Sequence, residues 1–217
     1  MESFELMKQR HSVRQYAATP IEAEKRAVLN DMVKEINARA DLHIQIFYDE
    51  PKCFDSFMAH YGKFSGVNNY IALVGKKAAD LDEKLGYYGE MLTLKAQELG
   101  LNTCWVALTH GKSSADVRKG EKAGCIISLG YGLTQGVPHT IKPFRDVCNY
   151  SPSMPEWFLN GMEAALLAPT AMNQQKFFFE LTPDGAVKTN AGKGFYTKVD
   201  LGIARYHFET VTGKKCL

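Results

Sequence analysis

The chain has 217 residues, 45% hydrophobic and 23% charged, ordinary globular proportions that exclude disorder, collagen and coiled coil. Its 26 lysines and arginines against 24 acidic residues leave a net charge of +2. The most charged stretch, Lys112 to Lys122, interleaves Asp116 and Glu121, so no basic face marks a nucleic-acid partner, and no apolar run approaches the roughly 18 residues of a membrane span. At about 150 residues per domain the length corresponds to roughly 1.4 domains. The N-terminal MESFELMKQRHSVR lacks the apolar segment of a signal peptide. Cys53, Cys104, Cys125, Cys148 and Cys216 are widely spaced without a C-x-x-C pair, which fits reduced thiols in a cytoplasmic protein.

In chain order, Phe4 to Gln9 reads as a short helix running into the basic tract Arg10-His11-Ser12-Val13-Arg14. Thr19, Pro20 and Glu22 have the form of an N-cap, a first helical residue and a capping box. Val28, Leu29, Met32, Val33 and Ile36 then carry a helix at three-and-four spacing. Strands follow at Ile44 to Tyr48 and Tyr70 to Val74. Leu85 to Leu99 reads as an amphipathic helix closed by Gly100. Thr103 to Leu108 and Cys125 to Leu129 read as buried strands with a helical turn near Ser113 between them. The Gly-, Pro- and aromatic-rich stretch Gly130 to Pro155 is the best candidate linker. A helix over Glu156 to Ala168 stops at Pro169, a strand covers Phe177 to Leu181, and a last helix runs from about Asp200 to Thr212. The class is α+β or α/β.

The two halves share a faint pattern. Leu29-Asn30-Asp31-Met32 parallels Leu159-Asn160-Gly161-Met162, and Gly89/Gly100 and Gly202/Gly213 bracket helices at equal spacing. Coincidence explains this about as well as a repeat does. Gly130-Tyr131-Gly132 fails as a dinucleotide fingerprint, because Gln135 occupies the third glycine's place and Pro138 opposes a helix. The six histidines show no metal-ligand spacing, and no hydrolase or Walker motif occurs.

Two segments carry chemistry. In an extended chain Arg10, Ser12 and Arg14 point one way, and two guanidiniums with a hydroxyl make an anion clamp. A helix end decorated with cations is the plainer reading. The second segment, Ala168-Pro169-Thr170-Ala171-Met172-Asn173-Gln174-Gln175, is long for a helix terminator and rich in amides. Its backbone N–H groups and amide side chains could orient a planar heterocycle such as a flavin.

Together these segments resemble the FMN-dependent nitroreductase family. Arg10, Ser12 and Arg14 match its R-x-S-x-R-like tract, and Ala168, Pro169, Thr170, Asn173 and Gln175 match its A-P-S-x-x-N-x-Q loop. Gly86 to Val106 resembles the family's dimer-forming helix and strand, Ser128-Leu129-Gly130-Tyr131 its next strand, and Lys142-Pro143 its late basic contact. In typical members the loop lies early; here it falls in the second half, which resembles the putative-nitroreductase branch with a rearranged chain. The resemblance implies an α+β fold with mixed, mainly antiparallel sheets flanked by helices. It also implies two unequal repeats, 1–149 and 150–217, packed as one compact pseudo-dimer around a single FMN, with monomer and homodimer both open.

The implied cofactor contacts are Arg10, His11, Ser12, Arg14, Val106, Ala107, Leu108, Thr109, Lys142, Pro169, Thr170, Ala171, Met172 and Asn173. Arg10, Ser12 and Lys142 would hold the phosphate and ribityl chain, with Arg14 at the N1–O2 edge. Val106 to Thr109 would lie near N5, and Pro169 to Asn173 would flank the ring. The implied reaction is ping-pong: NAD(P)H reduces the flavin, which then reduces a nitroaromatic, quinone or similar small acceptor, with no side-chain acid or base required. A flavin-binding protein without turnover, or a structural protein with a degenerate site, would present the same residues.

Overall fold

The computed structural model describes residues 3–217, so Met1 and Glu2 of the stretch read for a leader lie outside it. The chain divides into two compact units that interleave in sequence. One comprises Arg10–Leu81 and Leu92–Val137; the other comprises the segment ending at Gln9, Asp82–Met91 and Pro138–Leu217. The last segment of the later unit begins at Pro138, inside the expected linker. Part of a helix from the first half is also assigned to the later unit.

The first unit is built on a four-stranded antiparallel sheet of β1 (Gln45–Phe47), β2 (Asn69–Lys76), β3 (Asn102–Val106) and β4 (Glu121–Gly130), in the order β1-β2-β4-β3. Tyr70 pairs with Ser128, and Thr103 with Leu129. Central β2 is buried along its apolar run from Asn69 to Gly75, as a strand covered on both faces requires. Val13, Tyr16, Phe54, Phe64, Tyr70 and Val106 belong to the core beside it, with Phe47 stacked on Tyr70 at 4.9 Å.

Helix α2 (Ala23–Ala40) buries Leu29, Val33 and Ile36, whereas Val28 is exposed. The expected Thr19 cap and Glu22 capping box do not form: Glu22 is itself the N-cap and makes no side-chain cap bond. Its carboxylate instead accepts from the Tyr131 hydroxyl and pairs with Lys25. A short α3 (Phe57–Tyr61) capped by Ser56 was not anticipated. No helical turn exists near Ser113. There the Ser114 N–H donates to the Tyr70 hydroxyl and the Asp116 N–H to the Gln45 side-chain carbonyl, so side chains satisfy an irregular backbone.

The second unit contains α1 (Ser3–Gln9), α5 (Glu156–Leu166), α6 (Thr197–Thr212) and the hairpin of β5 (Phe177–Leu181) with β6 (Val187–Ala191). Polar, half-exposed β6 escaped the periodicity reading. Helix α4 (Leu81–Glu98), ending at Leu99 with Gly100 next, supplies Asp82–Met91 to this unit. Its contact with α6 depends on two glycines. A Cβ on Gly86 would lie 2.0 Å from the Val199 carbonyl oxygen, and one on Gly202 would lie 2.0 Å from that of Glu83, so the two backbones touch. Fully buried His207 completes this packing, bonding the Ala164 carbonyl at 2.9 Å and Glu90 Oε1 at 3.0 Å. No described helix is long and apolar enough to cross a membrane.

Candidate functional site

The basic tract is extended because its backbone is stitched to neighbouring segments. Ser12 bridges Thr103 in parallel, and the Val13 N–H donates to the Thr103 carbonyl at 3.0 Å. Tyr16 N–H donates to Ser65, and Ser65 N–H returns to Arg14. Val13 and Tyr16 are buried, and the Tyr16 hydroxyl donates to the Val13 carbonyl and meets Ser128 Oγ, each at 2.8 Å.

Cys104 on β3 follows Thr103, which Ser12 bridges. Burial pushes its thiol pKa up, while the Arg14 charge, the Ser12 hydrogen bond and the Arg10 charge each pull it down. Arg10 is buried, Ser12 half-buried and Arg14 exposed, and His11 packs its Cβ against Gly136. Val106 closes β3 in the core, after which the chain turns outward through half-buried Ala107, Leu108 (69% exposed) and half-buried Thr109, which lies against Gly62.

In the other unit Lys142 and the amide-rich loop come together. After Pro169 the backbone enters left-handed φ values at Met172 (53°), Asn173 (52°) and Gln175 (43°), a conformation that costs an L-residue about 1 kcal/mol or more. Side chains hold it there. The Lys142 ammonium donates to the carbonyls of Gln174 at 2.8 Å and Gln175 at 3.2 Å. Buried Gln175 accepts from the Lys142 N–H and donates to the Thr140 carbonyl and to Asn173 Oδ1. Asn173 Nδ2 also donates to Thr140.

Asp200, in the first turn of α6, completes the arrangement. Its Oδ1 accepts from the Ala171 N–H at 2.9 Å and its Oδ2 from Gln174 Nε2 at 2.7 Å. Burial pushes its carboxyl up to about 6, and the two hydrogen bonds only partly offset this. A raised folded-state pKa means that this group favours the fold most below the ordinary carboxylate range, and that the advantage is lost as pH rises through about 6. Keeping it ionised at neutral pH costs on the order of 3 kcal/mol. Such a cost beside a strained loop marks a place where local rules yield to another demand.

The structure therefore gathers Arg10, Ser12 and Arg14 with β3 and its Val106–Thr109 extension in one unit, and Lys142 with Pro169–Asn173 in the other. The loop amides, expected to be offered to a heterocycle, face the loop's own surroundings instead: Asn173 and Gln175 bond Thr140, and Gln174 bonds Asp200 and the Phe195 carbonyl. Only Met172 projects fully, at 99% exposure. Sequence reasoning missed Thr140 and Asp200, because an acid in a first helical turn is unremarkable by itself.

Comparison with known proteins places these features in context. A family profile described as "Putative TM nitroreductase" matches residues 2–212. A putative nitroreductase of Thermotoga maritima MSB8 superposes with a TM-score of 0.71 at 23% identity, covering 97% of this chain and 83% of its own. A putative nitroreductase of Desulfovibrio desulfuricans solved with FMN gives 0.56 at 14% identity, over 70% of this chain and 98% of its own. A putative NADH dehydrogenase/NAD(P)H nitroreductase of Bacteroides thetaiotaomicron gives 0.52 at 18% identity, over 67% and 95% respectively. No curated protein matched the chain.

Proposed function

The chain belongs to the putative TM nitroreductase family, and from that premise we propose that it is an FMN-dependent oxidoreductase using NAD(P)H to reduce a nitroaromatic, quinone or similar small acceptor. The solved relative with FMN and the relative named as an NAD(P)H nitroreductase support this reading. The observation that carries it in this chain is the extended Arg10–Arg14 tract, pinned by backbone bonds to Thr103 and Ser65. The Arg10 guanidinium and the Ser12 hydroxyl are donors that an anionic phosphate needs, and Arg14 adds a second cation to the same tract.

FMN, when bound, supplies hydride acceptance and onward electron delivery; the chain supplies position and field. Arg10 and Ser12 would hold the phosphate and ribityl chain. Arg14, the exposed cation of the tract, would lie at the N1–O2 edge, where a positive charge would favour the reduced flavin. By the resemblance, the backbone of Val106 to Thr109 would serve the N5 side and Pro169 to Asn173 would flank the ring. Lys142 acts on the loop through the carbonyls of Gln174 and Gln175, in addition to the phosphate role that the resemblance implies. The unequal repeats 1–149 and 150–217 would give one FMN per chain. Buried free thiols at all five cysteines fit a cytoplasmic setting.

Purified protein should be yellow, carry one FMN per chain and oxidise NAD(P)H when a nitroarene or quinone is supplied. Protein that neither carries nor takes up FMN would overturn the reading; FMN binding without turnover would reduce it to a flavin-binding protein. Arg14→Ala should lower the flavin midpoint potential, and an unchanged potential with FMN bound would remove Arg14 from its role.

A further inference from the structure

Resting on the reading that Pro169–Asn173 orients a flavin, we propose that Asp200 is the positioning residue of that loop: its carboxylate fixes Ala171 and Gln174, and its protonation loosens both. Three observations support it. First, Met172, Asn173 and Gln175 hold left-handed φ values, which Asn tolerates but Met and Gln do not favour, so the conformation needs anchors beyond the loop's own residues. Second, Asp200 is only 2% exposed, and each carboxylate oxygen meets a different loop donor: the Ala171 N–H at 2.9 Å and the Gln174 amide at 2.7 Å. An acid serving only the α6 dipole would sit at the solvated helix end; this one reaches back to a segment 29 residues earlier. Third, the same Gln174 nitrogen donates to the Phe195 carbonyl at 2.8 Å, so the loop is held from both sides of the α6 start.

An ionised carboxylate suits this position because it only accepts hydrogen bonds. Protonation relieves the cost of burying the charge, which the fold as a whole gains, but it converts one acceptor into a donor and sets it against a loop donor, so the two loop bonds weaken. Lys198 stands two residues before Asp200 on α6, and Lys176 follows the loop with its ammonium 3.4 Å from the Cβ position of Gly194. Neither is among the causes that shift Asp200, which are burial, Ala171 and Gln174. With its carboxyl pushed up to about 6, the clamp changes state between about pH 5 and 7.

The test combines amide exchange of the 168–176 segment, read by mass spectrometry, with FMN titration of full-length wild type, Asp200→Asn and Asp200→Ala. Asp200→Ala should lose about tenfold in loop protection without FMN and about tenfold in FMN affinity at pH 7.5. Asp200→Asn, which keeps one acceptor, should fall between. The wild-type advantage over Asp200→Asn should shrink several-fold at pH 5.5; taking the ratio at each pH cancels titration of the FMN phosphate itself. Loop protection unchanged in Asp200→Ala, or an advantage over Asp200→Asn equal at both pH values, would overturn the proposal. If wild type binds no FMN, the proposed function fails, and a positioning role toward a flavin fails with it. The exchange data would still report the clamp separately. Should Asp200→Ala not fold, Asp200→Asn supplies both measurements.

Discussion

Arg10 to Tyr16 and Thr170 to Gln175 are both irregular segments expected to meet the same cofactor, yet they are ordered by different means. The first lies extended and is held by backbone bonds to Thr103 and Ser65, with Val13 and Tyr16 anchored in the core. The second adopts left-handed φ at three non-glycine residues and is held by side chains: Lys142, Gln175, Asn173 and Asp200. A backbone-pinned segment tolerates most changes to its own side chains but not a change in the backbone it leans on. A side-chain-pinned segment has the opposite sensitivity.

The sharpest way to break this contrast is Gly66→Ala. A Cβ there would sit 2.2 Å from the Tyr16 carbonyl oxygen, at a φ of +69°. Thermal and denaturant unfolding should show a loss of about 3 kcal/mol or more, although no side chain of the tract has changed. Next, Gln175→Ala removes the amide that serves Thr140, Asn173 and the Lys142 N–H. It should cost about 2 kcal/mol, because buried partners are left unpaired; a cost near zero would show that the loop is not held by side chains. The smallest effect has the opposite sign. Met172→Gly relieves a left-handed φ at a fully exposed side chain, so stability should rise by up to about 1 kcal/mol. A loss there would mean that the loop's φ values are not a source of strain.

Legibility in the sequence follows the same divide. Arg10, Ser12 and Arg14 announce themselves because alternation in an extended chain is a local rule, and the tract is held extended by its bonds to Thr103 and Ser65. The strands at Tyr70 to Val74 and Phe177 to Leu181 and the helix from Glu156 were legible from apolar runs and Pro169. The Glu22 capping box was not borne out, because a distant hydroxyl, Tyr131, competes for the same carboxylate. The expected turn near Ser113 failed for a related reason: Tyr70 and Gln45 satisfy its backbone from elsewhere in the sheet. In the amide loop the residue types were legible but their directions were not, since Thr140 and Asp200 lie about 30 residues away on either side.

What the sequence by itself determined is a mixed class, α+β or α/β, the principal helices and strands, and the two segments rich in the right chemistry. Each follows from periodicity or residue type within a short window. Tertiary structure alone decided how the chain divides: α4 lends Asp82–Met91 to the later unit because Gly86 and Gly202 let two helix backbones touch. It also decided which groups the loop amides serve, and that Asp200 keeps a carboxylate out of water. Those outcomes depend on close approach and desolvation between residues remote in the chain, which no local pattern encodes.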